Sequence, residues 1–144
     1  MASTDPTADD FEYDELAYFH ENAEEVGLPW DGPPTVARVE VPVAGTRTVS
    51  GLRWGTGPIE LVLVHGSAQN AHTWDTVALA LGRPLLAVDL PGHGHSGWRD
   101  DFGYRPHQLA EDLAVVVEEL CDEPIVIVGM SLGGATASSL AAQR

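Results

Sequence analysis

Ile125-Val126-Ile127-Val128-Gly129-Met130-Ser131-Leu132-Gly133-Gly134 is the stretch on which the reading of this chain turns. Four β-branched residues in a row predict a short strand, Ile125 to Val128, buried on both faces. The small residues after it predict a helix from Leu132 to Ala142. Between the two, Gly129-Met130-Ser131-Leu132-Gly133 fits G-x-S-x-G, a pattern that is weak alone and gains meaning when a strand precedes it and a helix follows. Such a turn must be sharp, with its serine in a strained backbone conformation and no room for Cβ atoms at Gly129 and Gly133. Gly134 and Ala135 are expected to let the helix pack closely on the sheet. Ser131 would sit at a helix N-terminus, where unpaired N–H groups and the helix dipole favour negative charge. Ser131 is therefore the candidate nucleophile; the alternative is a glycine-rich turn with a structural serine.

Upstream, the same strand signature recurs at Ile59 to Val64 and Leu85 to Leu90. Alternation over Val36 to Val41 and Thr46 to Trp54, with Ala44-Gly45 between, predicts an antiparallel pair joined by a tight turn. Helix patterns lie between the apolar strands. Thr73 to Leu81 is one. Pro106 to Leu120 is stronger, with Leu109, Leu113, Val116, Val117 and Leu120 on one face, Pro106 in the first turn, and Glu111 and Asp112 expected to face water. Strands alternating with helices imply parallel crossovers, hence an α/β fold: a predominantly parallel sheet with helices on both faces. The chain divides at about residue 35. Residues 1–34 form an acidic N-terminal arm, with a helix expected from about Phe11 to Val26 and a stop at Gly27-Leu28-Pro29. That helix reads as solvated or as a packed arm. Residues 35–144 form the main domain.

A serine nucleophile needs donors for the oxyanion it creates. The residue after it supplies one, the backbone N–H of Leu132. A second should come from the turn after a neighbouring strand, since open parallel sheets place ligands at the C-terminal ends of their strands. Leu61-Val62-Leu63-Val64 runs into His65-Gly66-Ser67, so the N–H of Ser67 is the second candidate. His65 reads as the residue that holds this turn by side-chain hydrogen bonds.

Together with Asp89-Leu90-Pro91-Gly92-His93-Gly94-His95-Ser96, the Leu61–Ser67 and Gly129–Gly134 stretches resemble the N-terminal half of the α/β-hydrolase fold, truncated after the nucleophile-turn helix. The resemblance covers about residues 35–144. It implies Ser131 as nucleophile and the Ser67 and Leu132 N–H groups as the oxyanion hole. Relatives with dehalogenase or epoxide hydrolase activity carry aspartate at the nucleophile position. A serine there implies hydrolysis of an ester, a lactone or an activated carbon–carbon bond in a small-molecule substrate, or a perhaloperoxidase-like relative. No cofactor and no metal is implied.

The triad partners of such a serine follow it in the order acid, then histidine. Only thirteen residues, Leu132 to Arg144, follow Ser131, and none is Asp, Glu or His. His93 and His95 follow a strand that should be separated from the Ser131 strand by Leu61 to Val64. The economical expectation is a fragment of a serine hydrolase, inactive alone. A non-catalytic remnant or binding protein on the same scaffold is the alternative.

Other motifs read as structural. Gly92-His93-Gly94-His95-Ser96-Gly97 satisfies G-x-G-x-x-G but does not open a helix, as a dinucleotide site requires. Asp89, His93 and His95 form no complete metal-ligand set. His72 and Trp74 either line a pocket or cap and pack the next helix, an even choice. Trp98 and Tyr104 read as surface packing. Asp122 and Glu123 beside Cys121 would raise its thiol pKa and keep it unreactive.

Composition narrows the partners. Among 144 residues, 22 acids face 7 bases, all Arg, for a formal net charge of −15. Half of the acids lie in residues 1–40, with Arg38 the lone base there. That balance argues against nucleic acid or an anionic membrane as partner. No apolar run approaches the ~20 residues of a membrane span, and no leader is legible, so a cytoplasmic location is expected.

Overall fold

The computed structural model describes residues 13–122 and 124–144. Five strands form one sheet: β1 (Val36–Ala44), β2 (Arg47–Trp54), β3 (Leu61–Val64), β4 (Leu85–Val88) and β5 (Val126–Gly129), in the order β1-β2-β4-β3-β5. β1 pairs antiparallel with β2, and β2 with β4, while β3 lies parallel to both β4 and β5. The helices are α1 (Phe19–Glu25), α2 (Asp75–Leu81), α3 (Pro106–Leu120) and α4 (Leu132–Ala142), with a single 3-10 turn at Ala71–Trp74 ahead of α2.

Alternation along each strand sorts side chains to two faces. On one face Val62, Val64, Leu86 and Val88 meet Leu109, Leu113, Val116 and Val117 of α3 and Leu140 of α4. On the other, Leu52, Trp54, Leu63, Leu85 and Ala87 meet Phe19 and Ala23 of α1 and Ala78 of α2. The sheet is thus covered on both faces. Phe19 seats against Trp54 at 4.7 Å between ring centroids, so the acidic helix is a packed arm. Among the described residues no helix is long and apolar enough to cross a membrane.

The predicted elements are present with shifted ends. The arm helix begins at Phe19, after a turn over residues 15–18; Phe11 lies outside the described residues. The strand expected from Ile59 starts at Leu61, and the one expected to reach Leu90 ends at Val88. α3 has the expected bounds, its start secured by Pro106 and by the Arg105 N–H donating to the Gln108 side chain.

Two expectations of burial fail. β5 is not covered on both faces. It is the end strand, and Val126 and Val128 remain 58% and 39% exposed. Asp112 does not face water; it is 4% exposed. One of its carboxylate oxygens accepts from Arg47 at 2.9 Å and from Arg99 at 3.0 Å. Arg99 is itself buried, and also donates to the Gln108 carbonyl and to Asp101. Asp101 also accepts the Gly103 N–H, and the Arg99 guanidinium, first among the causes, holds its carboxyl down at about 2.

Truncating Asp112 to alanine leaves two arginines facing each other with their main anion gone. Loss of about 3 kcal/mol is expected, read as a lower urea midpoint at unchanged slope. Glu111→Gln, one residue away and exposed, should cost less than about 1 kcal/mol.

Candidate active site

The site lies where the parallel strands β3 and β5 end. Beyond β5 the ladder continues for one bond, from the Met130 N–H to the Val64 carbonyl at 3.0 Å. The chain then reverses into α4, with the Gly133 N–H on the Met130 carbonyl and the Ala135 N–H on that of Ser131. Ser131 takes φ +52 and ψ −117, a left-handed conformation that side chains of L-residues avoid. It is exposed at the tip of the turn.

The glycines of the motif are required by contact. A Cβ on Gly129 would overlap the Gly133 carbonyl. One on Gly133 would overlap the carbonyl oxygens of Val64 and His65. The close approach of α4 to the sheet is therefore made at Gly133, one residue earlier than the Gly134-Ala135 pair the sequence suggests. Gly134 has more room, with its nearest backbone neighbour at 3.2 Å.

The turn after β3 lies against this elbow. At Gly66 an added Cβ would stand 3.3 Å from the Ser131 Cβ and 3.3 Å from the Met130 carbonyl. Gln69 closes the turn, accepting the Gly66 N–H on its side chain at 2.9 Å and returning its own N–H to the Gly66 carbonyl. His65 behaves as its sequence context predicts. Its Nδ1–H donates to the Gly66 carbonyl at 2.7 Å and its Nε2 accepts the Leu90 N–H at 2.9 Å. Those two roles need the neutral ring, and burial, with His93 nearby, holds its pKa below the usual histidine value. Among the described residues, neither the Ser67 N–H nor the Leu132 N–H donates to a protein acceptor, and nothing hydrogen-bonds to the Ser131 hydroxyl. Leu132 is the first residue of α4, where an N–H has no partner within the helix.

The motif after β4 is a tie between loops. Asp89 is buried and accepts the Ala71 N–H at 2.7 Å, the His95 N–H at 3.1 Å and an Arg38 N–H at 2.6 Å. Gly94 leaves the space this carboxylate occupies. No helix begins there; the chain runs on in turns. Among the described residues no three His, Cys, Asp or Glu side chains are grouped to hold a metal ion. The choice left open at His72 and Trp74 divides between them: His72 lines a cleft with Glu15 and Arg38, its Nδ1 meeting Asp75 at 2.7 Å, while Trp74 packs against the core that holds Ala78. Trp98 is exposed, while the Tyr104 hydroxyl accepts the Arg99 N–H. Burial first, then Asp122, raises the Cys121 thiol.

The sequence did not signal Glu15. This residue of the arm meets Arg38, His72 and His95, which lie 23, 57 and 80 positions away. No local pattern carries such contacts.

The family model described as the alpha/beta hydrolase family matches residues 61–144, more than half the chain. The chain belongs to that family. It is 53% identical over 130 residues to the esterase Rv0045c of Mycobacterium tuberculosis, covering 90% of this chain and 41% of that one. A crystal structure of the same esterase superposes with a TM-score of 0.82 at 50% identity, over 91% of this chain and 44% of the other. The pimeloyl-(acyl-carrier protein) methyl ester esterase of Aeromonas salmonicida is 43% identical over 96 residues, 65% of this chain and 36% of that one. The chain thus spans about two fifths of the length of these relatives.

Gly133→Ala tests the close contact. The new methyl meets backbone on both sides and cannot be relieved by a rotamer change, so α4 must lift from β3. A loss of about 3 kcal/mol is expected, against under about 1 kcal/mol for Gly134→Ala, where the helix also gains propensity. Thermal or urea unfolding reads both.

Proposed function

We propose that this chain is the nucleophile-bearing portion of a serine hydrolase, with residues 35–144 the N-terminal part of the catalytic domain and residues 1–34 its arm. Ser131 Oγ attacks the carbonyl carbon of a small-molecule ester. The hydroxyl proton passes to a histidine base. The oxyanion that forms lies between the N–H groups of Ser67 and Leu132, each such donor being worth about 3 kcal/mol in the transition state. Collapse of the intermediate breaks the bond to the alcohol, which leaves with the proton. Water then cleaves the acyl-enzyme by the same route and releases the acid.

The observation that carries this reading is the placement of Ser131. A strained, exposed serine stands at a strand-to-helix turn, followed at once by the Leu132 N–H, which has no acceptor, and the Gly66 turn packs against it. The names of the similar proteins support esters over lactones or carbon–carbon bonds. The base and its orienting acid are not among the residues that follow Ser131. In relatives more than twice as long there is chain enough to supply them. The alternative is a non-catalytic scaffold that carries the same elbow.

Turnover of a small activated ester separates the two. In a polypeptide that includes a base, Ser131→Ala should lower kcat by roughly 10⁴-fold or more, down to the residual rate of binding and the oxyanion hole. Equal rates for the serine and alanine forms would make this a non-catalytic scaffold.

A further inference from the structure

Glu15 lies in the turn ahead of α1, largely shielded, and its carboxylate is met from three directions. Arg38 of β1 donates to Oε1 at 2.5 Å, His72 Nε2 lies 3.1 Å from the same oxygen, and His95 Nε2 lies 3.5 Å from Oε2. Each partner leads inward. Arg38 passes its other nitrogen to Asp89, and Asp89 holds the Ala71 N–H. His72 is next to Ala71, in the connection between β3 and α2, and its Nδ1 meets the buried Asp75. That connection begins with the Gly66–Gln69 turn beside Ser131. Arg38 and Glu15 both precede residue 61, where the family model's match begins.

The state of His72 follows from its partners. Both ring nitrogens face carboxylate oxygens, and a carboxylate only accepts. Both must therefore carry hydrogen, so the ring is an imidazolium in this arrangement. Removing its proton takes a donor from Glu15 or from Asp75, and Asp75 already has one buried oxygen without a partner.

We propose that Glu15 is a positioning residue: through His72 and the Arg38–Asp89 pair it holds the β3–α2 connection, and with it the turn beside Ser131, for as long as His72 is charged. The catalytic meaning of this rests on the serine-hydrolase reading; the mechanical claim does not. The charged and titratable groups around His72 and Glu15 are Arg38, Asp75, Asp89 and His95, with Tyr13 and Asp14 on the rim of the same cleft. The hydrogen bond to Asp75 holds the His72 pKa above 6.5 against the pull of burial. Burial pulls Glu15 up, but Arg38 and His72 outweigh it and leave it below 4.5. A raised histidine contributes its hold fully below pH 6.5 and loses it as pH rises through its folded value. A lowered carboxylate contributes above pH 4.5 and loses its hold as pH falls through its folded value. The clasp is closed between these limits and opens on the alkaline side through the histidine. His65 works in the opposite sense, losing its contribution as pH falls below 6.5, so it does not mimic the alkaline limb.

Amide hydrogen exchange across residues 65–72 of the purified protein tests the clasp. The wild type would be compared with Glu15→Gln, His72→Gln and the control Glu21→Gln, an exposed acid of α1, at pH 6 and pH 9 after correction for intrinsic rates. Ala71 and the Gly66–Gln69 turn should exchange about tenfold faster in Glu15→Gln at pH 6, the loss of one charge-assisted hydrogen bond. The wild type should lose protection from pH 6 to pH 9, while His72→Gln should not respond to that change. Phe19 and Ala23 still anchor the arm, so the unfolding midpoint should move little. Wild-type protection in Glu15→Gln, or an alkaline loss that His72→Gln keeps, overturns the proposal. In a catalytically complete polypeptide Glu15→Gln should lower kcat about tenfold with KM unmoved; an unchanged kcat would overturn the catalytic part. Exchange needs no turnover and can be read in Ser131→Ala, so failure of the hydrolase reading is told apart from failure of the clasp.

Discussion

The backbone of α4 touches the backbone of β3 at Gly133, and the rest of the site depends on that contact. The first turn of a helix can come this close to a strand end only if one residue has no side chain. Once it does, β5 must turn within two residues, and Ser131 is the residue left at φ +52. Such strain costs of the order of 1–3 kcal/mol. Packing of α3 and α4 on Val62, Val64, Leu86 and Val88 holds the turn in place against it. The same geometry frees the Leu132 N–H and brings the Gly66 turn against the serine. Strain, exposure and unpaired donors are one structural event.

Arginine use follows a similar economy. With 22 acids and 7 bases, cations spread over the surface would each find an acid nearby. Instead three of them tie elements together. Arg47 and Arg99 meet on Asp112 and join β2, the loop after β4, and α3. Arg38 joins the arm, β1 and the loop after β4. Among the described residues, Glu21, Glu24 and Glu25 of α1 are exposed, and like charges set this close repel one another.

Much of this was legible in the sequence because it is local. The strand–turn–helix around Ser131, the α3 bounds and the His65 role each follow from residues within a few positions of one another. The expected separation of the Ser131 strand from the strand before His93 by Leu61 to Val64 is the order found, β4-β3-β5. What was not legible depends on distant partners. Helical periodicity put Asp112 beside Glu111 on the polar face, yet Arg47, 65 positions away, decides that it is buried. Four β-branched residues, Ile125 to Val128, read as a strand buried on both faces, yet Val126 and Val128 are exposed. Glu15 looks like one more acid in an acidic arm until Arg38, His72 and His95 are brought to it. Periodicity reports which face a residue is on; it does not report what waits there.

The central claim is that Ser131 and the N–H groups of Ser67 and Leu132 form one reactive constellation. The direct test is a crystal structure of a polypeptide that includes the base, after treatment with a serine-directed phosphonate. The account predicts a bond from Ser131 Oγ to phosphorus, with the phosphoryl oxygen about 2.7–3.1 Å from both nitrogens. A phosphonate bound at Ser131 with that oxygen turned to solvent, or attached to another residue, would contradict it.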